Sequence, residues 1–270
     1  MYSATFCRIW KGGGRQVFSL YGNSVTGAVR KQNQDRYACG LFADGAAWAV
    51  VCDGMGGPGG GEIAAQTALD VVTRQFEQSY TSELRPAQIR GMMDAAVLLA
   101  NNQVYQQAVQ NMDLRGMGTT IVCCIWRRET LFVLHAGDSR LYLYEPEESA
   151  LTQITHDHSM VQALVDHGEI TEEEALFHPE RNVITKAVGV NDAFCPEFGQ
   201  YPMPRNAKLL LCSDGLTNEC GNEQLKEILK TCETPQAAVD ACIEAALTSG
   251  GHDNITAVVI CGSGSAKKAE

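Results

Sequence analysis

The chain has 270 residues, an apolar fraction of 45% and a formal charge of −11, from 32 acidic against 21 basic residues. Its length suits one large domain or two small ones, and its apolar content is enough to bury a core. The acidic balance excludes broad affinity for nucleic acid or anionic lipid, which takes clustered Lys and Arg, and no apolar run reaches the ~20 residues of a membrane helix.

The first sixteen residues are poor in apolar side chains and carry Gly12, Gly13 and Gly14. They do not form a signal peptide, so a cytoplasmic protein is expected. β-like runs follow at 17–21 and 46–52. Two helices are predicted over 62–78 and, after Pro86, over 87–110. In the first, Ala64, Ala65, Ala68, Leu69, Val72 and Phe76 recur at the spacing of a core-facing helical stripe. Further strands are predicted at 119–126, 130–135 and 141–144.

From 152 to 205 the pattern breaks, with short helices expected at 158–166 and 172–177. The second opens on Thr171 answered by Glu174, a capping box. This insert, about 157–205, sits where a mobile lid belongs. A strand at 208–212 leads to helices over 222–231 and 235–248, the latter started by a capping Thr234 and then Pro235. A last strand spans 255–261, and 262–270 has the composition of a mobile tail. Helices grouped between strand blocks argue against a doubly wound sheet. Strands distant in sequence must share sheets with helices outside them, so a single domain over 1–261 is expected.

Eleven cysteines, an odd number, include no C-x-x-C pair, which removes the usual zinc and thioredoxin-like spacings. Cys52, Cys123, Cys124, Cys212 and Cys261 lie in or beside apolar strand runs and are expected as buried, reduced thiols.

One pattern occurs four times. Apolar runs deliver Asp53-Gly54, then Asp138 after His135-Ala136-Gly137, then Asp214-Gly215, while Gly250-Gly251-His252 delivers Asp253-Asn254 just before the last strand. Any one Asp-Gly marks a turn. Four carboxylates at the ends of buried strands point to one shared pocket. At ~4 Å each pair of charges costs about 4 kcal/mol at an effective dielectric of 20, so protons or divalent cations must compensate. All-oxygen ligands favour Mg²⁺ or Mn²⁺ over zinc, and bound cations let an acidic protein hold phosphate.

These residues sit within a longer series of motifs: Gly27-Ala28-Val29-Arg30, Asn33-Gln34-Asp35, Val51-Cys52-Asp53-Gly54-Met55-Gly56-Gly57, and Gly118-Thr119-Thr120. Gly137-Asp138-Ser139-Arg140-Leu141-Tyr142, Asp157-His158-Ser159, Cys212-Ser213-Asp214-Gly215-Leu216 and Gly251-His252-Asp253-Asn254-Ile255-Thr256 follow. In this order, over about 21–260, the chain resembles the PPM/PP2C-type protein phosphatases, and their bacterial branch in particular. The resemblance implies an α+β fold, a four-layer α-β-β-α sandwich of two antiparallel sheets flanked by helix pairs. It implies Mg²⁺- or Mn²⁺-dependent hydrolysis of phosphoserine and phosphothreonine by direct attack of a metal-bridging water. Two ions are implied, with a third typical of bacterial members. Asp53 would bridge two ions and the Gly54 carbonyl would complete one. Asp214 and Asp253 would bind the second ion, and Asp138 with Asp214 the third. Arg30 would grip the substrate phosphate, Asp35 would act through metal-bound water, and Asn254 would support the phosphate or the hydrogen bonding of the site. Phosphorylated proteins are the implied partners, with a cognate Ser/Thr kinase; neither nucleic acid nor membrane is expected, and a monomer is.

Arg140 is expected in a buried ion pair, and His156 and His158 in local hydrogen bonds. Met55 stands where eukaryotic members carry a histidine proposed as general acid, and it has no proton to give. Pro58 and Gln34 also depart from the family's common residues. A catalytically silent phosphatase-like module that binds phosphopeptide or metal is the alternative; it requires lost ligands, and all four aspartates are present. A nucleotide hydrolase lacks its Walker loop here.

Overall fold

A computed structural model describes residues 17–57, 59–204 and 206–263. The predicted features of the first sixteen residues, of Pro58 and of the tail beyond Ser263 lie outside the described residues. Eleven strands form two sheets: β1 (Val17–Val25), β2 (Asp35–Leu41), β3 (Ala47–Met55), β4 (Gly118–Thr119), β5 (Ile121–Arg127), β6 (Thr130–Ala136), β7 (Arg140–Glu145), β8 (Ala150–Gln153), β9 (Glu197–Pro202), β10 (Lys208–Cys212) and β11 (Ile255–Ser263). One sheet runs β1-β11-β10-β7-β8 and the other β2-β3-β5-β6-β9, with β4 paired to β3. The pairings are antiparallel.

The helices α1 (Gly60–Ser79) and α2 (Pro86–Gln110) cover the second sheet, while α6 (Asn222–Thr231) and α7 (Pro235–Ser249) cover the first. Three cores result, and side-chain alternation assigns each residue to one of them. In β3, Trp48, Val50 and Cys52 face the α1–α2 layer, while Ala47, Ala49 and Val51 face the other sheet. In β10, Leu210 and Cys212 meet α6 and α7, and Leu209 and Leu211 point inward. Both faces of each sheet are thus buried, which explains why these strands are continuous apolar runs rather than alternating ones. The four-layer sandwich is the observed architecture.

The strands that composition does not reveal lie at sheet edges. β2 and β9 close the two ends of one sheet and β8 ends the other; their residues are mostly half-buried or exposed. β9 also corrects the insert: its last residues form a strand paired with β6, so the irregular flap ends before Glu197. Within the flap, α3 (Met160–Asp166) and the single turn α4 (Glu172–Ala175) occupy the predicted helical positions. The Glu174 N–H donates to the Thr171 hydroxyl at 3.2 Å, and the Thr171 N–H donates back to the Glu174 carboxylate at 2.8 Å. The Ala237 N–H donates to Thr234 Oγ1 at 3.1 Å, as that helix start predicts.

Burial pushes the thiols of Cys39, Cys124 and Cys212 up to about 12, as inert core cysteines require. Among the described residues no helix is long and apolar enough to cross a membrane.

Candidate two-metal active site

The aspartates converge where strands from both sheets end. Asp53 lies near the end of β3, Asp138 in the turn from β6 to β7, Asp214 at the start of the short helix α5 (Asp214–Thr217), and Asp253 two residues before β11. All four are half-buried. Their charges act on one another. Asp53 feels Asp35, Asp214 and Asp138, its carboxyl lies within hydrogen-bonding reach of Asp214, and Asp214 in turn feels Asp253. Burial, then this mutual repulsion, holds Asp53 well above the usual carboxylate range, raises Asp214, and lifts Asp138 to about 7. Asp35, opposite Asp53 in the β2–β3 register, is only 2% exposed and is lifted to about 6, chiefly by burial.

Backbone and hydroxyl groups fix these positions. The Asp53 N–H donates to Thr120 Oγ1 at 3.0 Å, while its carbonyl accepts from the Thr120 N–H at 2.8 Å and the Thr119 hydroxyl at 2.9 Å. Thr120 Oγ1 lies 2.7 Å from Ser139 Oγ, joining the Asp53 strand to the turn that carries Asp138. At Gly54 and Gly215 it is protein backbone that comes close. A Cβ would lie 2.1 Å from the Gly61 carbonyl oxygen at Gly54, and 2.0 Å from that of Asn254 at Gly215. Only glycine lets these chains meet.

Asp35 is held by a circuit of hydroxyls. Its Oδ2 accepts from Ser213 Oγ at 2.7 Å and Thr256 Oγ1 at 2.6 Å; Ser213 Oγ accepts from the Thr256 N–H, and Asn33 Oδ1 from the Asp35 N–H. Its Oδ1 is buried with no hydrogen-bond partner. A buried carboxylate oxygen without a donor is costly, and near it stand Asp53, Asp138 and Asp214, whose carboxyls burial pushes toward their neutral forms. Divalent cations relieve both conditions, and an all-oxygen donor set fits Mg²⁺ or Mn²⁺.

Arg30 is exposed at the rim, its Nη2 2.6 Å from Asp253 Oδ2. Of the two expected roles of Asn254, the side chain makes the hydrogen bonds of the site. Its Nδ2 donates to the carbonyls of Thr26 and Gln32, and its Oδ1 accepts from the Gln34 N–H. Both ends of the amide are thereby engaged in holding the 26–34 loop that presents Arg30. Arg140 forms the predicted ion pair. Its Nε and Nη2 reach the buried Asp157 at 2.7–3.0 Å, and its Nη1 donates to the Tyr142 hydroxyl.

The histidines make local bonds. His156 Nε2 lies 2.7 Å from Asp166 Oδ2. His158 stacks on His135 with centroids 4.7 Å apart, and these two with Glu197 offer three ligand atoms within 4.8 Å of one another. That trio is already engaged in hydrogen bonds. The Gly137 N–H points at His158 Nδ1 at 3.3 Å, so Nε2 carries the proton and donates to Glu197 Oε2 at 3.2 Å. Lys186 Nζ stands 3.2 Å from the same Nε2. The trio ties the flap to the turn before Asp138.

The other foot of the flap is tied by a residue that sequence reading passed over. Asn101, 1% exposed on α2, accepts from the Gly189 N–H at 2.7 Å and donates to the Asn191 carbonyl at 2.9 Å. Gly189 has φ +88°, and a Cβ there would sit 2.1 Å from Val104 Cγ1. Next to it, Val188 bridges to Thr119, whose hydroxyl holds the Asp53 carbonyl. The signal for Asn101 is a lone polar residue on the apolar face formed by Val97, Ala100 and Val104.

Residues 28–248 match the family model described as Protein phosphatase 2C. The chain belongs to the protein phosphatase 2C family. Among its relatives, a serine/threonine phosphatase stp of Listeria monocytogenes is 34% identical over 234 residues, covering 87% of this chain and 92% of that protein. The serine/threonine protein phosphatase PstP of Mycobacterium tuberculosis is 37% identical over 90% of this chain, which spans 45% of that longer protein. Solved structures of serine/threonine phosphatases superpose over nearly the whole fold. Stp1 of Staphylococcus aureus has a TM-score of 0.84 at 32% identity, covering 90% of this chain and 94% of that one. The PstP catalytic domain in complex with two manganese ions has a TM-score of 0.79 at 33% identity, covering 92% and 99%.

Proposed function

We propose that this serine/threonine protein phosphatase of the 2C family hydrolyses phosphoserine and phosphothreonine on proteins by direct attack of water, using Mg²⁺ or Mn²⁺ held by Asp53, Asp138, Asp214 and Asp253. The gathering of these four mutually repelling carboxyls, with Asp35 behind them, carries the reading. Two divalent cations bound there supply an activated water and a positive field for the phosphoryl oxygens.

In this reading Asp53 would serve both ions, which suits a carboxyl whose charge acts on Asp35, Asp138 and Asp214 alike. The Gly54 carbonyl would complete one ion, Asp214 and Asp253 would hold the second, and Asp138 with Asp214 would hold a third. Arg30 orients the substrate phosphate, because its guanidinium fork matches phosphate geometry. Its contact with Asp253, on an exposed side chain, supports this role. Asp35 keeps a buried negative charge at the core side and, through the Ser213 hydroxyl, positions the start of α5 that carries Asp214. Asn254 is assigned to holding the Arg30 loop rather than to phosphate. The substrates are phosphorylated proteins supplied by a Ser/Thr kinase, met in the cytoplasm, where buried thiols stay reduced; the enzyme works as a monomer.

The test is phosphate release from p-nitrophenyl phosphate and from a phosphothreonine peptide. EDTA should abolish it and Mn²⁺ or Mg²⁺ restore it, with Zn²⁺ poor. A silent module would bind the peptide and release nothing.

A further inference from the structure

We propose that the cleft beside the metal site is a subsite for a second anionic group on the substrate, selected by Lys31. This deepens the phosphatase reading and rests on it. The cleft, about 460 Å³, joins residues of the 30–34 loop to Gly56, Gly57 and Asn254. Its described lining holds two cations, Arg30 and Lys31, three carboxamides, two glycines and no carboxylate. In a chain of net charge −11 that is a local inversion of sign. Arg30 is committed to the phosphate and Asp253. Lys31 is exposed and makes no ion pair with a described residue.

The loop beneath Lys31 is built rather than loose. Asn254 fastens it at Thr26, Gln32 and Gln34, the Ala28 N–H donates to the Gly251 carbonyl at 2.7 Å, and Asn33 Nδ2 donates to Ser24 Oγ at 2.8 Å. Lys31 therefore projects from a fixed base one residue from the phosphate-binding arginine. An extended phosphopeptide seated on Arg30 presents its flanking side chains to this cleft, and the complementary chemistry is an anion: an acidic side chain or a second phosphoryl group. The overall charge of the protein pulls the other way, toward basic peptides, so the two influences are separable.

Fluorescent peptides carrying a non-hydrolysable phosphonate analogue of phosphothreonine, flanked by Ala, by Asp and Glu, by Lys, or by a second phosphothreonine, would be ranked by anisotropy on the Mn²⁺-loaded full chain. The same ranking would be taken as kcat/KM with the phosphate peptides. Wild type should favour the acidic or doubly phosphorylated peptide over the Ala peptide by about threefold to tenfold, the scale of one exposed charge contact. Which of the two is tighter identifies the anion. Lys31→Gln should flatten the ranking and Lys31→Glu invert it, while Lys230→Glu, the same charge change on α6, should leave it as in wild type. A ranking shared by wild type and Lys31→Glu, or one moved equally by Lys230→Glu, overturns the proposal. Absent turnover with the phosphonate ranking intact would instead strike the phosphatase reading alone.

Discussion

Replacing Asp35 by asparagine should stabilise the metal-free protein while weakening its response to metal. Asp35 is held at about 6 rather than 3.8. At ~1.36 kcal/mol per tenfold change in protonation, ionising it in the folded chain costs about 3 kcal/mol more than in the unfolded one. Because its value is raised on folding, the folded chain binds more protons between pH 3.8 and 6. The stability this group contributes therefore falls as pH rises through that window, and the full penalty stands above it. Asp35→Asn keeps an acceptor for the Ser213 and Thr256 hydroxyls and removes the charge. In EDTA at neutral pH the variant should gain about 1–3 kcal/mol, or roughly 2–4 °C in Tm per kcal/mol for a chain of this size. The gain should shrink to about half near pH 5, where wild-type Asp35 is largely protonated. With saturating Mn²⁺ the order should reverse, since wild type has more negative charge for the cations to neutralise. Scanning calorimetry at two pH values, with EDTA and with Mn²⁺, reads all four conditions. A variant less stable than wild type in EDTA at neutral pH, or a gain that ignores pH, refutes the reasoning.

Asp53→Ala should lower turnover by several orders of magnitude while the fold survives in circular dichroism, because relief of carboxylate repulsion offsets lost metal stabilisation; near wild-type turnover removes Asp53 from the site. Arg30→Ala should mainly raise KM and cut kcat/KM by roughly 10- to 150-fold. Arg30→Lys should recover part of that, and calorimetric Mn²⁺ affinity should stay near wild type; unchanged KM with collapsed metal binding would make Arg30 a structural partner of Asp253. Asn101→Leu leaves the Gly189 N–H and the Asn191 carbonyl without partners and should cost about 2–4 kcal/mol in urea unfolding; a loss under about 0.5 kcal/mol would mean that the flap arm is not clamped there.

What could be read from the residues, and what could not, follows from range. Strands buried on both faces, such as β3, β6 and β10, announce themselves as apolar runs, and the aspartates at their ends inherit that clarity. The edge strands β2, β8 and β9 are half-solvated and polar, so their pairing is a tertiary fact; β9 was hidden inside the expected lid for that reason. The hydroxyl circuit around Asp35 joins residues 24, 33, 213 and 256, and the last three lie inside the quoted motifs, yet nothing local says that they meet. Asn254 shows the converse: its residue type left phosphate support and hydrogen bonding within the site both open, and only the fold shows its three bonds to backbone. Arg140 was legible because a guanidinium at the start of a buried strand needs a partner, and Asp157 supplies it.

In the proposed function the four converging aspartates hold the cations on which phosphate release depends. Calorimetric titration of Mn²⁺ into the metal-free protein, with turnover of a phosphothreonine peptide followed in the same samples, tests it most directly. At least two Mn²⁺ should bind per chain, turnover should rise with their occupancy, and Asp53→Ala should lose both binding and turnover. Full turnover in the metal-free sample, or two tightly bound ions in Asp53→Ala, would contradict it.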